Sequence, residues 1–150
     1  MSTFEKKKPA SIFVEGPISA DFIAREIAKH STKTSIGAHQ IFLGQIRSDM
    51  KNSREVKSIE FSAYPDMVQD VYVEIREQIF SKYKLTCMHV YHSLGKINAG
   101  ELNLFVFVSS EHRKDATMAC SELVELIKTK LPIWGKECYD DENYTWKVNV

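Results

Sequence analysis

Two strand-like segments, Leu85–Leu94 and Glu101–Ser109, follow one another with no helix between them. Only Gly95-Lys-Ile-Asn-Ala-Gly100 separates them, and glycine at both ends suits an antiparallel turn. Strands joined in this way argue for an α+β layer fold with mixed or antiparallel pairing. The other segments fit that frame. Ser11–Glu15 carries the short apolar run of a strand, and Ser19 is placed to cap a helix in which Phe22, Ile23 and Ile27 recur up to His30. Gly37–Arg47 alternates with apolar groups on both faces, which predicts a central strand. Ser48–Glu55 is polar and reads as a mobile loop, and Val56–Ala63 alternates again.

Pro65 suits a first helical turn, where its missing N–H removes no bond. Met67, Val68, Val71, Tyr72, Ile75, Ile79 and Phe80 then form an apolar stripe at helical spacing. A third helix starts near His112, runs to Lys130 and is stopped by Pro132. Ile133–Cys138 and Thr145–Val150 read as a last strand pair around the polar turn Asp140-Asp-Glu-Asn143. The expected order is β-α-β-β-α-β-β-α-β-β. Residues 1–10 read as a flexible leader and residues 11–150 as a single domain.

Bulk properties narrow the function classes. At 150 residues, 43% hydrophobic and 27% charged, the chain is one ordinary globular domain. Its formal net charge of zero argues against a general nucleic-acid binder, and the chain has no RNP-type aromatic motif. No apolar run is long enough to cross a bilayer, and no secretory signal follows the basic N-terminus. Three cysteines, none in a C-x-x-C pair, point to reduced thiols in the cytosol rather than to disulfides or a thiolate zinc site. No P-loop, dinucleotide or zinc-protease motif is present, so no cofactor is expected. The five histidines show no tight ligand spacing, and His89 and His92 fall on opposite faces of a strand, so no metal is expected either.

What remains is a set of basic residues at element ends. Ser109-Ser-Glu-His112-Arg113 leaves a strand and enters a helix, where free N–H groups attract anions and arginine can grip phosphate oxygens in a fork. A solvated first turn is the competing reading. Lys128 and Lys130 lie in the last turn of the same helix, where cations commonly offset the helix dipole. Pro132-Ile-Trp134 follows at once, however, and a lysine beside other cations and apolar walls suits acid/base or nucleophilic work. Arg47 ends the strand that contains Gly44, a position that permits either close approach of a ligand or chain, or a simple bulge.

In order and spacing, Phe42-Leu-Gly-Gln-Ile-Arg47, Tyr64-Pro-Asp-Met67, His92-Ser-Leu-Gly95 with Gly100-Glu101, Ser110-Glu-His-Arg113 and Lys128-Thr-Lys-Leu-Pro-Ile-Trp-Gly-Lys-Glu137 make a set. With these landmarks the chain resembles the large, catalytic subunit of molybdopterin synthase, the MoaE family, from about Ile36 to Trp146. The resemblance implies an α/β hammerhead fold with an additional antiparallel subdomain. It implies a cytoplasmic sulfurtransferase of molybdenum cofactor biosynthesis that converts cyclic pyranopterin monophosphate to molybdopterin. The two sulfurs would come from the thiocarboxylated C-terminus of a small ubiquitin-like subunit, within a heterotetramer built on a central homodimer. Gln45, Ile46 and Arg47 would line the substrate pocket, His112 and Arg113 would bind the phosphate-bearing pterin, Lys128 would be the essential lysine, and Gly135, Lys136 and Glu137 would form a second basic wall in which Lys136 is a second catalytic lysine. Many relatives carry lysine directly after the tryptophan, where this chain has Gly135, and a one-residue shift on a strand points Lys136 to the other face unless the backbone bulges. Gln45 likewise stands where a basic residue is common. These two departures favour the alternative, a non-catalytic phosphate-binding or scaffold module of the same fold.

Overall fold

The computed structural model describes residues 11–141 and 143–148. The expected leader, residues 1–10, lies outside the described residues, as do the last two positions of the expected C-terminal strand. The elements run β1 (Phe13–Glu15), α1 (Ala20–Ala28), β2 (Ala38–Gln45), β3 (Met50–Lys51), β4 (Arg54–Glu55), β5 (Ser58–Ala63), α2 (Pro65–Lys82), β6 (Cys87–Asn98), β7 (Leu102–Ser110), α3 (Arg113–Lys130), β8 (Ile133–Cys138) and β9 (Tyr144–Trp146). The order along the sheet is β2-β7-β6-β5-β8-β9, all antiparallel, with β1 added in parallel to β6. The expected mixed α+β hammerhead with an added antiparallel segment describes this arrangement.

β6 organises the molecule. Its first half, Cys87 to His92, pairs with β7, and its last residues, Gly95 to Asn98, pair with β5. Gly95 sits at the changeover with φ +87°, a left-handed conformation that side chains disfavour, so the strand swings from one partner to the other there. The sequence reading placed Gly95–Gly100 as the turn; in the structure the strand continues through Gly95 and only Ala99–Gly100 and their flanks turn. β7 is buried from Asn103 to Ser110 because helices cover both faces. On one face Leu104, Val106 and Val108 meet Val68, Tyr72, Ile75 and Ile79 of α2 and Ala119, Leu123 and Ile127 of α3. On the other, Phe105 and Phe107 meet Ile18, Phe22 and Ile23 around α1. Each such side chain contributes about 1.5–3 kcal/mol when fully buried.

Two expectations need correction. β2 is an edge strand, paired only with β7 among the described residues. Its two apolar faces arise because Phe42 packs into the α2–α3 core while Ile41 packs against the Phe105–Phe107 layer, so double burial comes from helices rather than from a second flanking strand. The polar stretch 48–55 is a small hairpin, with Met50 opposite Glu55 and Lys51 opposite Arg54. Asn52 and Ser53, at φ 52° and 64°, make the tight turn whose twist matches the strands it joins.

Candidate active site at the C-terminal end of α3

The stripe that buries Leu123 and Ile127 brings Lys128, one position on, to the boundary between core and solvent. Leu131 leaves helical geometry and Pro132 prevents its resumption, so the chain turns into β8 directly beside that lysine. Lys128 thus stands over a cavity of about 340 Å³ floored by His92 and Asn103 and walled by Phe61, Gly135 and Lys147. The exposed ring of Trp134 forms part of its rim and meets Tyr64 edge-on at 5.7 Å.

The cavity is cationic and partly desolvated. Burial pushes the Lys128 ammonium below the usual lysine range, and the charge of Lys147 pushes it further the same way. Burial also lowers Lys147, assisted by Arg47 and Lys51 and opposed by the carboxylates of Glu137 and Asp49. His92 is pushed down to about 4, chiefly by burial, with both lysines adding to the effect. Its Nδ1–H donates to the Ser93 carbonyl at 2.8 Å, which leaves Nε2 as the acceptor of a neutral ring packed edge-on against Phe61 at 5.0 Å.

The residues marked in the sequence do not all meet at this cavity. Lys128 and Gly135 line the cavity. Lys136, the neighbour of Gly135, lies on the other face of β8, its Nζ 4.3 Å from the Tyr144 ring and 5.6 Å from that of Trp146. No bulge rescues it, because Gly135, Lys136 and Glu137 keep regular register against Phe61, Glu60 and Ile59. Glu137 is buried and held by Lys51 Nζ at 2.6 Å, so it anchors the β3–β4 hairpin over this end of the sheet. Ile46 is buried in a second core with Val56, Ile59, Phe61 and Ile97, while Gln45 is exposed after a register shift at Gly44. Gly44 serves close approach by the chain itself: a Cβ there would lie 3.1 Å from both Asn103 Oδ1 and Leu104 Cβ. Arg47 is exposed, contacts Asp49 at 3.3 Å and reaches the cavity only through its field on Lys147.

His112 and Arg113 sit at the opposite end of α3, both exposed. Ser110 fixes this end, its hydroxyl donating to the His112 carbonyl and accepting from the Ala116 N–H at 3.1 Å. At 1.5 Å per residue, Arg113 lies about 22 Å along the helix from Lys128. The two sets of basic groups therefore cannot line one cavity within a single chain.

Sequence reasoning did not mark Lys147 or His92 as cavity residues. Lys147 is one of many lysines, and only the β8–β9 register carries it inward. Nor did it find a cluster on the other face of the sheet, where potential ligand atoms of His30, Cys87 and His89 lie within 4.8 Å of one another. His30 Nδ1–H donates to the Glu26 carbonyl, so its Nε2 accepts from His89 Nε2–H at 3.1 Å. The two imidazoles are 59 positions apart, so no local spacing could announce them.

The comparisons point the same way as this geometry. The MoaE protein family matches residues 15–130. The human molybdopterin synthase catalytic subunit is 32% identical over 145 residues, 97% of this chain and 74% of the relative. Its counterpart from Oryza sativa subsp. indica is 34% identical over 145 residues, 97% and 73% of the two chains. The crystal structure of molybdopterin synthase from Staphylococcus aureus superposes with a TM-score of 0.79 at 28% identity, covering 91% of this chain and 95% of that one. A complex of subunits 1 and 2 of molybdopterin-converting factor from Helicobacter pylori shares the fold, with a TM-score of 0.75 at 16% identity over 89% and 87% of the chains. With the family matched across most of its length and a relative above 30% identity along nearly all of it, this chain belongs to the MoaE family.

Proposed function

We propose that this chain is the sulfur-transferring subunit of a molybdopterin synthase, acting in the cytoplasm on cyclic pyranopterin monophosphate with a small ubiquitin-like carrier as sulfur donor. The observation that carries the reading is a desolvated lysine, Lys128, over a cationic cavity whose rim opens onto exposed aromatic rings. The substrate is a phosphate anion, and opening its cyclic phosphate develops further negative charge. Fixed ammonium groups in a secluded site stabilise that charge with little reorganisation. Burial and the Lys147 charge lower the proton affinity of Lys128, which makes it a better proton donor and acceptor than an ordinary lysine, so Lys128 is the acid/base group of this scheme.

The rim fits the carrier. Ser62, Ala63, Tyr64, Trp134 and Trp146 border a shallow apolar hollow beside the cavity. An extended glycine-rich tail laid across these rings would deliver its terminal thiocarboxylate to Lys128. The three thiols are unpaired, in keeping with a reducing compartment, and no helix of the described residues is long and apolar enough to cross a membrane.

His112 and Arg113 have a place in this reading as phosphate ligands of a second copy's cavity. The span of α3 demands this if they and Lys128 hold the same pterin, which supports a homodimer at the centre of a heterotetramer. Gln45 and Arg47 border the same end of the sheet and would bind the outer part of the substrate. The test is reconstitution with thiocarboxylated carrier and cyclic pyranopterin monophosphate. Dithiolene product, lost in Lys128→Ala while the carrier still binds, is the expected result. A wild-type chain that binds carrier and pterin without forming product would establish the scaffold reading instead.

A further inference from the structure

We propose that Lys147 supplies the second cation of the cavity, reaching in from the strand beside Gly135 to do what a lysine at position 135 would do. This inference rests on the proposed function for its chemistry, but not for its geometry. The Lys147 N–H donates to the Gly135 carbonyl at 2.8 Å, which extends the β8–β9 ladder by one pair beyond Lys136 and Trp146. Directly opposed residues of antiparallel strands present their side chains to the same face. Gly95, Phe61, Gly135 and Lys147 therefore form one row across four strands, and its last three members line the cavity. Lys136 belongs to the next row and lies under Tyr144 and Trp146.

Packing explains why the charge has moved. A Cβ at Gly135 would lie 3.0 Å from Ile59 Cγ2 and 3.3 Å from Phe61 Cε1. The Phe61 ring thus closes the space above position 135, where it also packs on His92. A side chain from 135 has no clear path into the cavity. One strand further out, Lys147 stands directly opposite the glycine and lines the cavity beside it. Its surroundings suit an anion: Lys128 across the cavity, neutral His92 on the floor, and Arg47 and Lys51 behind, with Glu137 and Asp49 the carboxylates within range. Lys147 would bind substrate phosphate and, as a like charge, hold down the proton affinity of Lys128.

The experiment compares Lys147→Met, Lys147→Arg and Lys136→Met in the full chain. Lysine titration by NMR on the uniformly labelled protein and binding of inorganic phosphate are read alongside product formation with the carrier. In Lys147→Met the Lys128 titration should move to higher pH and phosphate affinity should fall about tenfold, the loss of one charge-assisted hydrogen bond. Lys147→Arg should keep phosphate binding. With the carrier, Lys147→Met should raise the KM for the pterin and move the alkaline dependence of kcat upward, a change that a merely structural residue would not produce. The proposal is overturned if Lys147→Met leaves both titration and phosphate binding unchanged, or if Lys136→Met produces these effects instead. Titration and phosphate binding need no turnover, so failure of the proposed function would appear separately, as a wild-type chain with the coupled lysines but no product.

Discussion

The Lys147 amide and the Gly135 carbonyl meet at 2.8 Å across the β8–β9 ladder, and this contact turns Lys147 to the face of Lys128. A shift of one residue in that pairing would turn Lys147 out of the cavity, while Lys136 would keep its outward face because β8 is also held in register by β5. The cavity's charge is therefore a property of strand register as much as of composition.

Lys128 separates charge from proton transfer. Arginine at 128 would keep a cation over the cavity but cannot release a proton near neutral pH. Lys128→Arg should therefore retain most pterin affinity while losing about 100-fold or more in the rate of the chemical step, a typical loss for a positioned acid/base group. Lys128→Ala should lose both. Single-turnover assays with preformed carrier complex, paired with equilibrium binding, check this. An arginine variant with near-normal single-turnover rate would remove Lys128 from proton transfer.

Gly135→Lys asks whether the lysine expected from the sequence could be restored. The new Cβ would press on Ile59 Cγ2 at 3.0 Å and Phe61 Cε1 at 3.3 Å. Overpacking of this kind destabilises by about 1–3 kcal/mol. Urea denaturation should show a lower midpoint with unchanged slope, and Gly135→Ala should show much of the same loss because the clash begins at Cβ. A fully stable Gly135→Lys would mean that Phe61 yields freely.

How much of this was legible beforehand varies with the range of the interaction. The helical stripe of α2, the Ser19 cap and the Pro132 stop are local patterns, and each appears where the sequence puts it. The edge position of β2 was hidden because Ile41 and Phe42 look alike whether a strand or a helix covers them. Lys128 stood out by its neighbours Pro132 and Trp134. Lys147 and the His30–His89 pair did not, since their partners are fixed by strand register and by an approach of α1 to β6 that no short window contains.

The pair Lys51–Glu137 should hold the β3–β4 hairpin in place. Glu137 is 3% exposed and its carboxylate accepts from Lys51 Nζ at 2.6 Å. Lys51→Met removes that hydrogen bond and leaves the buried carboxylate with the longer-range field of Lys147. Loss of a fully buried pair costs about 3–5 kcal/mol. The Lys51 side chain is 42% exposed, so solvent screens the interaction and about 1–2 kcal/mol is expected. Hydrogen exchange should show faster opening of Met50–Glu55 in Lys51→Met, with little change in β6 and β7. Equal protection in both proteins would place the hairpin's stability elsewhere.

His92 should make the fold sensitive to acid. Its folded pKa of about 4 lies below the ordinary value of 6.5 because burial and two lysines disfavour the imidazolium. Between those values the unfolded chain binds a proton that the folded chain refuses. This group's stabilisation is therefore complete above about pH 6.5 and declines as pH falls toward 4, by about 3 kcal/mol in all. His89 and His39, also lowered by burial, act in the same direction. Urea midpoints from pH 7 to 4 should fall more steeply for the wild type than for His92→Gln. Parallel profiles would show that the ring titrates freely in the folded state.

The length of α3 gives the remaining prediction. Arg113 and Lys128 lie about 22 Å apart along one helix. If both serve one pterin, each site draws Lys128 from one copy and Arg113 from another. Lys128→Ala and Arg113→Ala homodimers would then each be inactive. After subunit exchange, half the dimers would be mixed, and each mixed dimer would hold one intact site and one doubly defective site. Activity should return to about a quarter of the wild-type level, as two-fold symmetry requires. Purified variants mixed under mild dissociating conditions and assayed after reassociation provide the measurement. No recovery despite demonstrated exchange would confine each active site to one chain and leave His112 and Arg113 with a different partner.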